Sequence, residues 1–224
     1  MKFIFADCLD YVDPEYDFIN DLNGEGRQPY WDDQFPHEIL SKAPYDGMLV
    51  SRAIVGDASS NGKYNESQAM RFRRVGARKF LRLDKGIHKD MPIFGDNGAF
   101  SYSNQEEPPY TVTDTIEFYG DGQFTHGCSV DHIVFEFDSN VKNLEGGNAQ
   151  SRKRYELTQQ LASEFLLESK QLGKIFTPIG VIQGWSPDSL AQAAANLVKM
   201  GYRYIAIGGL VPLRSEEIHL AVSA

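Results

Sequence analysis

Short apolar runs recur along the chain, each closing on a polar residue or a glycine, and stretches with helical spacing lie between them. The runs predict strands at Phe3–Ala6, Met48–Val50, Pro92–Phe94, His132–Phe137, Pro178–Ile182 and Tyr204–Ile207. The intervening spacing predicts helices over Glu66–Val75, Val112–Tyr119, Ala149–Ser169 and Pro187–Met200, with another start at Ser215. The segment "SPDSLAQAAANLVKMGY" is the clearest of these: Ser186 can cap, Pro187 suits the first turn, Leu190, Ala194, Leu197 and Val198 form one face, and Gly201 ends it. Two polar stretches, "SNQEEPPYT" and "SSNGKYNES", read as long surface loops.

A strand followed by a helix, repeated about six times, predicts an α/β fold with parallel strands. Either an open doubly wound sheet or a (β/α)8 TIM-type barrel would satisfy this pattern, and in both the functional groups gather where strands end. The polar closures here are "ADC", "SRA", "GDNGAF", "EFD", "IQG" and "GGL", in that order. No linker or repeat divides the chain, so one domain over residues 1–224 is expected.

Composition narrows the setting. With 224 residues, 42% of them hydrophobic, the chain can bury a substantial core. The opening "MKFIFADC" is too short for a secretory leader and no run is long enough to span a bilayer, so a cytoplasmic protein without a membrane partner is expected. Cys8 and Cys128 form neither a CxxC pair nor a disulfide framework, which suits a reducing compartment. A formal net charge of −9 argues against a general nucleic-acid coat. Residues 71–89 run against that balance, with eight Lys/Arg and one acid, and Arg71, Arg73, Arg74 and Arg78 are candidates for phosphate contacts. A solvated helix face explains the same run equally well.

The strand-end residues supply the donors and acceptors that a guanine-like base requires. A carboxylate at Asp138 could accept from two ring-edge N–H groups, while the Gln183 amide and a backbone N–H at Gly208–Gly209 could donate to a carbonyl. Phe100, four residues after Asp96, is placed to stack on a flat ring. Paired glycines also suit a phosphate site in a barrel enzyme acting on a phosphorylated metabolite. In "HGCSVDH", His126, Cys128 and His132 lack the ligand spacing of zinc sites, and no metal is assigned to them.

The stretches "GDNGAF", "HIVFEFD", "PIGVIQG" and "GYRYIAIGGL", in this order over about residues 90–211, resemble the motifs of the tRNA-guanine transglycosylase family. In the first ninety residues, "ADCLDYVDPEYDF" and "MRFRRVGARKFLRLD" look closer to the branch that places 7-deazaguanines in DNA. The resemblance implies a (β/α)8 barrel and a pentosyltransferase that exchanges guanine for a free 7-deazaguanine of the preQ0 type. DNA is the implied partner more than tRNA. An aspartate nucleophile would attack C1′ and hold the sugar covalently. By carry-over, Asp96 becomes the acid/base carboxylate, Phe100 the stacking ring, and Asp138, Gln183, Gly208, Gly209 and Leu210 the base-binding set.

Two departures qualify it. Ala99 stands where the family has Gly, and Ser101 where it has Gln. The family also carries its nucleophile and a Cys-Cys-Cys-His zinc site downstream of "GGL", whereas this sequence ends at Ala224. A truncated chain of about six βα units is therefore expected, with zinc in the part beyond it and open sheet edges that favour self-association. A non-catalytic nucleobase-binding fragment is the alternative reading.

Overall fold

The computed structural model describes residues 1–56, 62–173 and 175–224. The first three residues of the predicted loop "SSNGKYNES" lie outside the described residues. Six parallel strands alternate with helices, the α/β arrangement of a partial TIM barrel. The chain forms two compact units, Met1–Phe94 and Gly95–Ala224, divided within one strand.

In the first unit, β1 (Ile4–Ala6) pairs in parallel with β2 (Gly47–Ser51), Phe5 facing Met48. Short helices α1 (Pro36–Ile39) and α2 (Arg52–Val55) were not foreseen, because four residues show no period. Helix α3 (Glu66–Val75) matches its predicted span. Its start is set by a reciprocal cap: Asn65 Oδ1 accepts from the Gln68 N–H and Gln68 Oε1 accepts from the Asn65 N–H, both at 2.9 Å. A further turn, α4 (Ala77–Phe80), follows. Phe72, Phe80, Leu81 and Leu83 are almost wholly buried.

The strand at the division is β3 (Ile93–Asp96). The second unit continues with α5 (Val112–Asp121), β4 (His126–Cys128), α6 (Ala149–Gln171), β5 (Thr177–Ile182), α7 (Pro187–Met200), β6 (Ile205–Ile207) and α8 (Ser215–Ser223). Strands β4–β5 and β5–β6 pair in parallel, His126 facing Thr177 and Gly180 facing Ile205. Ser186, Pro187 and Gly201 bound α7 as expected, with Gly201 in the left-handed region at φ 105°.

The fourth strand differs from its predicted position. It is His126–Cys128, and residues 132–137 form no strand. Side chains take up the backbone groups of that β-prone run. The His132 N–H donates to Thr158 Oγ1 at 3.1 Å, the Val134 N–H to Gln183 Oε1 at 3.1 Å, and Arg154 donates to the Ile133 carbonyl at 2.8 Å. Ser129 also stands in for a strand neighbour, its Oγ accepting from the Val181 N–H at 2.9 Å. A buried backbone needs partners, and these need not be another strand.

The core of this unit has two parts. One gathers Val134, Tyr155, Leu166, Ile182, Trp185 and Leu197. The other centres on Tyr119, fully buried against Phe124, Phe165 and Phe176. Tyr119 fills the space that a β-carbon would need at Gly95 on β3, 2.2 Å from its ring, and at Gly127 on β4, 2.4 Å from it. Its hydroxyl donates to the Cys128 carbonyl at 3.0 Å. Among the described residues, no helix is long and apolar enough to cross a membrane.

Candidate functional site

Asp96 closes β3, and its Oδ2 accepts from the Gly98 N–H at 2.8 Å. The loop it opens is latched from below by Asn97, which is fully buried. Asn97 Nδ2 donates to the carbonyls of Cys128 (3.3 Å) and Ser129 (3.2 Å), and its Oδ1 accepts from Thr115 Oγ1 at 3.2 Å. Gly98 then enters a single 3-10 turn, Ala99–Tyr102, that leaves Phe100 54% exposed. Phe100 meets the exposed Phe135 edge to face, with ring centroids 5.4 Å apart. Sequence reading did not single out Phe135.

Beside this loop lies a carboxylate that sequence reading also missed. Asp131 is buried, and its Oδ2 accepts from Gln183 Nε2 at 2.7 Å. Desolvation first, then the nearby charge of Asp96, push the Asp131 carboxyl up to about 7, against the opposing Gln183 hydrogen bond. Tyr102 anchors the same backbone, its hydroxyl donating to the Asp131 carbonyl at 2.9 Å. The signal available in sequence was only an acid inside "HGCSVDH". Its partner lies 52 residues away.

Gln183 follows β5 and is 2% exposed. Both ends of its amide are engaged, Nε2 with Asp131 and Oε1 with Val134, and one amide N–H remains. Gly208 packs directly on it: a β-carbon there would stand 2.1 Å from Gln183 Nε2. Gly209 has φ 75° and would meet the Val134 carbonyl at 3.0 Å, so only glycine fits without strain. Leu210 packs against the apolar cluster behind. Gly208→Ala should therefore push Gln183 off Asp131 and lower stability by roughly 1–3 kcal/mol. Urea unfolding of the two proteins measures this, and equal midpoints would show that the amide has room to move.

Asp138 is exposed, with Oδ1 accepting from the Asn140 N–H at 2.9 Å and from Asn140 Nδ2 at 3.2 Å. Its own N–H donates to the Trp185 carbonyl at 2.9 Å, two residues beyond Gln183. Thus the structure joins the buried Asp131 and Gln183 with the half-buried Gly208 and Gly209 in one cluster, brings the Asp96 charge to it, and leaves Asp138 on the loop that passes over β5's end. Cys128 is buried, and desolvation, then Asp96 and Asp131, raise its thiol well above the ordinary range. His132 Nε2 lies 2.9 Å from the Gln105 carbonyl. Among the described residues, no three His, Cys, Asp or Glu side chains are grouped to hold a metal.

The arginines of the basic run have different surroundings. Arg71 lies over the rings of Tyr30 and Trp31, at 4.4 and 4.2 Å. Arg73 donates to the Gly56 carbonyl. Arg78 donates to the carbonyls of Lys89 at 2.7 Å and Met91 at 2.9 Å. Arg74 is exposed.

No family model matches the sequence. Over 220 residues, 97% of this chain, it is 40% identical to a DNA-guanine transglycosylase from Salmonella montevideo. The aligned region is 51% of that protein, so the chain spans about half the length of the curated relative it matches.

Proposed function

We propose, from the 40% identity to a DNA-guanine transglycosylase, that this chain belongs to the guanine transglycosylase family and carries the acid/base and base-recognition half of a DNA base-exchange site. The observation that carries the proposal is the Asp131–Gln183 pair packed against the Gly208–Gly209 backbone, with Asp96 at a neighbouring strand end close enough for its charge to act on Asp131. A purine edge needs acceptors for its N–H groups and a donor for its carbonyl, and this cluster with Asp138 above it supplies both. Phe100 and Phe135 offer exposed ring surface for stacking.

In the exchange, guanine leaves C1′ with a proton, and an incoming 7-deazaguanine returns one as it bonds to the same carbon. Asp96 is the group that gives and takes that proton. The covalent route needs a nucleophilic carboxylate at C1′ between the two half-reactions. None of the residues described here is assigned that role. Zinc, on this reading, is held in another part of the family fold. DNA, a free deazaguanine and a cytoplasmic setting complete the proposal, with self-association through sheet edges.

Binding of the free base tests recognition separately from chemistry. Asp138→Asn should weaken a 7-deazaguanine about tenfold to a hundredfold, because an amide turns one acceptor into a donor at a charge-assisted pair. Asp96→Asn should bind nearly as the parent does. Calorimetric titration distinguishes them; if Asp131→Asn weakens binding while Asp138→Asn does not, the buried carboxylate reads the base instead. No binding by the parent chain refutes the recognition role.

A further inference from the structure

The first unit holds a cleft of about 500 Å³ between the "RQPYWDD" loop and the basic run, lined in part by Tyr30, Trp31, Arg71, Lys79, Arg82 and Lys85. Its charges are not balanced. Glu38 is engaged by Arg82, at 2.9 Å, and Arg82 is further tied to the carbonyls of Asp33 and Tyr30. That guanidinium is therefore a structural strut. Arg71, Lys79 and Lys85 have no carboxylate partner among the described residues, and Asp84 is the remaining acid on the wall. Arg71 is half-buried, and its Nε is buried without a hydrogen-bond partner among the described residues.

The aromatic side of the cleft completes the picture. Arg71 sits over Trp31 at 4.2 Å, and Trp31 is 64% exposed. A guanidinium pre-set on an indole face, next to two unpaired lysines, presents a planar donor fork, mobile positive charge and an open stacking surface together. An isolated phosphate uses only the first two. A nucleic-acid strand uses all three, because each phosphate is followed by a base.

We infer that this cleft binds the phosphodiester backbone of a nucleic-acid strand, with Arg71, Lys79 and Lys85 on a phosphate and Trp31 stacked on an adjoining base. The inference deepens the proposed function by adding a strand-holding site built from other residues than those that handle the exchanged base. It reassigns the basic run: Arg73 and Arg78 brace backbone carbonyls, while Arg71 with two lysines meets the ligand.

Fluorescence anisotropy with a labelled single-stranded oligodeoxynucleotide tests this on the whole chain. Lys79 and Lys85 are exposed, so Lys79→Gln/Lys85→Gln should fold as the parent does. This variant should lose affinity and reduce the salt slope by about 0.7 for each phosphate it no longer neutralises. Trp31→Ala should weaken binding about fivefold or more through lost stacking, and Arg71→Lys should bind less tightly than the parent. Since Trp185 is 3% exposed, acrylamide quenching reports Trp31, and bound oligonucleotide should shield it. Unchanged affinity and slope in the lysine variant, or no oligonucleotide binding by the parent, overturns the inference. So does shielding of Trp31 by inorganic phosphate or a deoxynucleoside monophosphate at the same affinity as the oligonucleotide, which would assign the cleft to a small phosphorylated ligand. Asp96→Asn should lose base exchange and keep oligonucleotide binding, so failure of the strand site and failure of the exchange reading give different results.

Discussion

Asp96→Asn is expected to lower base exchange by roughly 10²- to 10⁴-fold while leaving the fold in place. The turn survives because an amide oxygen can still accept from the Gly98 N–H, now bonded to Asp96 Oδ2 at 2.8 Å, and because Asn97 latches the loop independently. On the proposed role, what disappears is a group that can release and recover a proton at the leaving base. The substitution also removes the charge that helps hold the proton on Asp131. The Asp131 carboxyl should then titrate below its position in the parent, a change visible in its infrared carboxyl band. The measurement is incorporation of labelled guanine into DNA by parent and variant, with circular dichroism as the fold control. Full exchange by the variant would falsify the role given to Asp96.

The second large effect is on stability. Asp131, pushed up to about 7, and Asp7, pushed up to about 6, both hold protons more tightly in the folded chain than in the unfolded one. Burial is the main cause in each. Asp7 gains partial relief from the Tyr64 hydroxyl, 2.6 Å away, and the Leu9 N–H, while the Asp10 charge works against it. A raised folded pKa gives stability that is complete below the unfolded value near 4 and is lost as pH rises through the folded value. A tenfold difference in proton affinity between the two states corresponds to about 1.4 kcal/mol, so each residue should contribute on the order of 3 kcal/mol to a decline between pH 4 and pH 8. Asp13 and Asp17 are held below the usual range by hydrogen bonds and pull the other way, but a lowered carboxylate exerts its pull below about pH 5, outside most of this window. Urea midpoints should fall from pH 5 to pH 8, and Asp7→Asn and Asp131→Asn should each flatten that slope and raise stability at pH 8. A flat or rising profile in the parent would mean that water or a relaxed packing stabilises both ionised forms.

The parts of the fold that were legible in sequence are those stated by neighbouring residues. Asn65 and Gln68 mark the start of α3, and Ser186, Pro187 and Gly201 mark both ends of α7, because capping is a local event. The run "HIVFEFD" misled because its β-prone residues are satisfied by Thr158, Arg154 and Gln183, none of them near in sequence. The same distance hid Asp131. An acid becomes informative when it is buried against a particular amide, and only folding places Gln183 there. Likewise, helical spacing could count the arginines of the basic run but could not show which of them serve the Gly56, Lys89 and Met91 carbonyls.

Tyr119, lodged over Gly95 and Gly127, has a consequence for how such chains can diverge. Any side chain gained at either glycine collides with a ring that cannot retreat, so the first step of change is closed while Tyr119 remains. A smaller residue at 119 would open that step, though alone it leaves a cavity costing several kcal/mol. The three positions should therefore drift as a set, small-small-large or its reverse. Since Gly95 directly precedes Asp96, a lineage that repacks this corner would also change the footing of the carboxylate assigned to proton transfer.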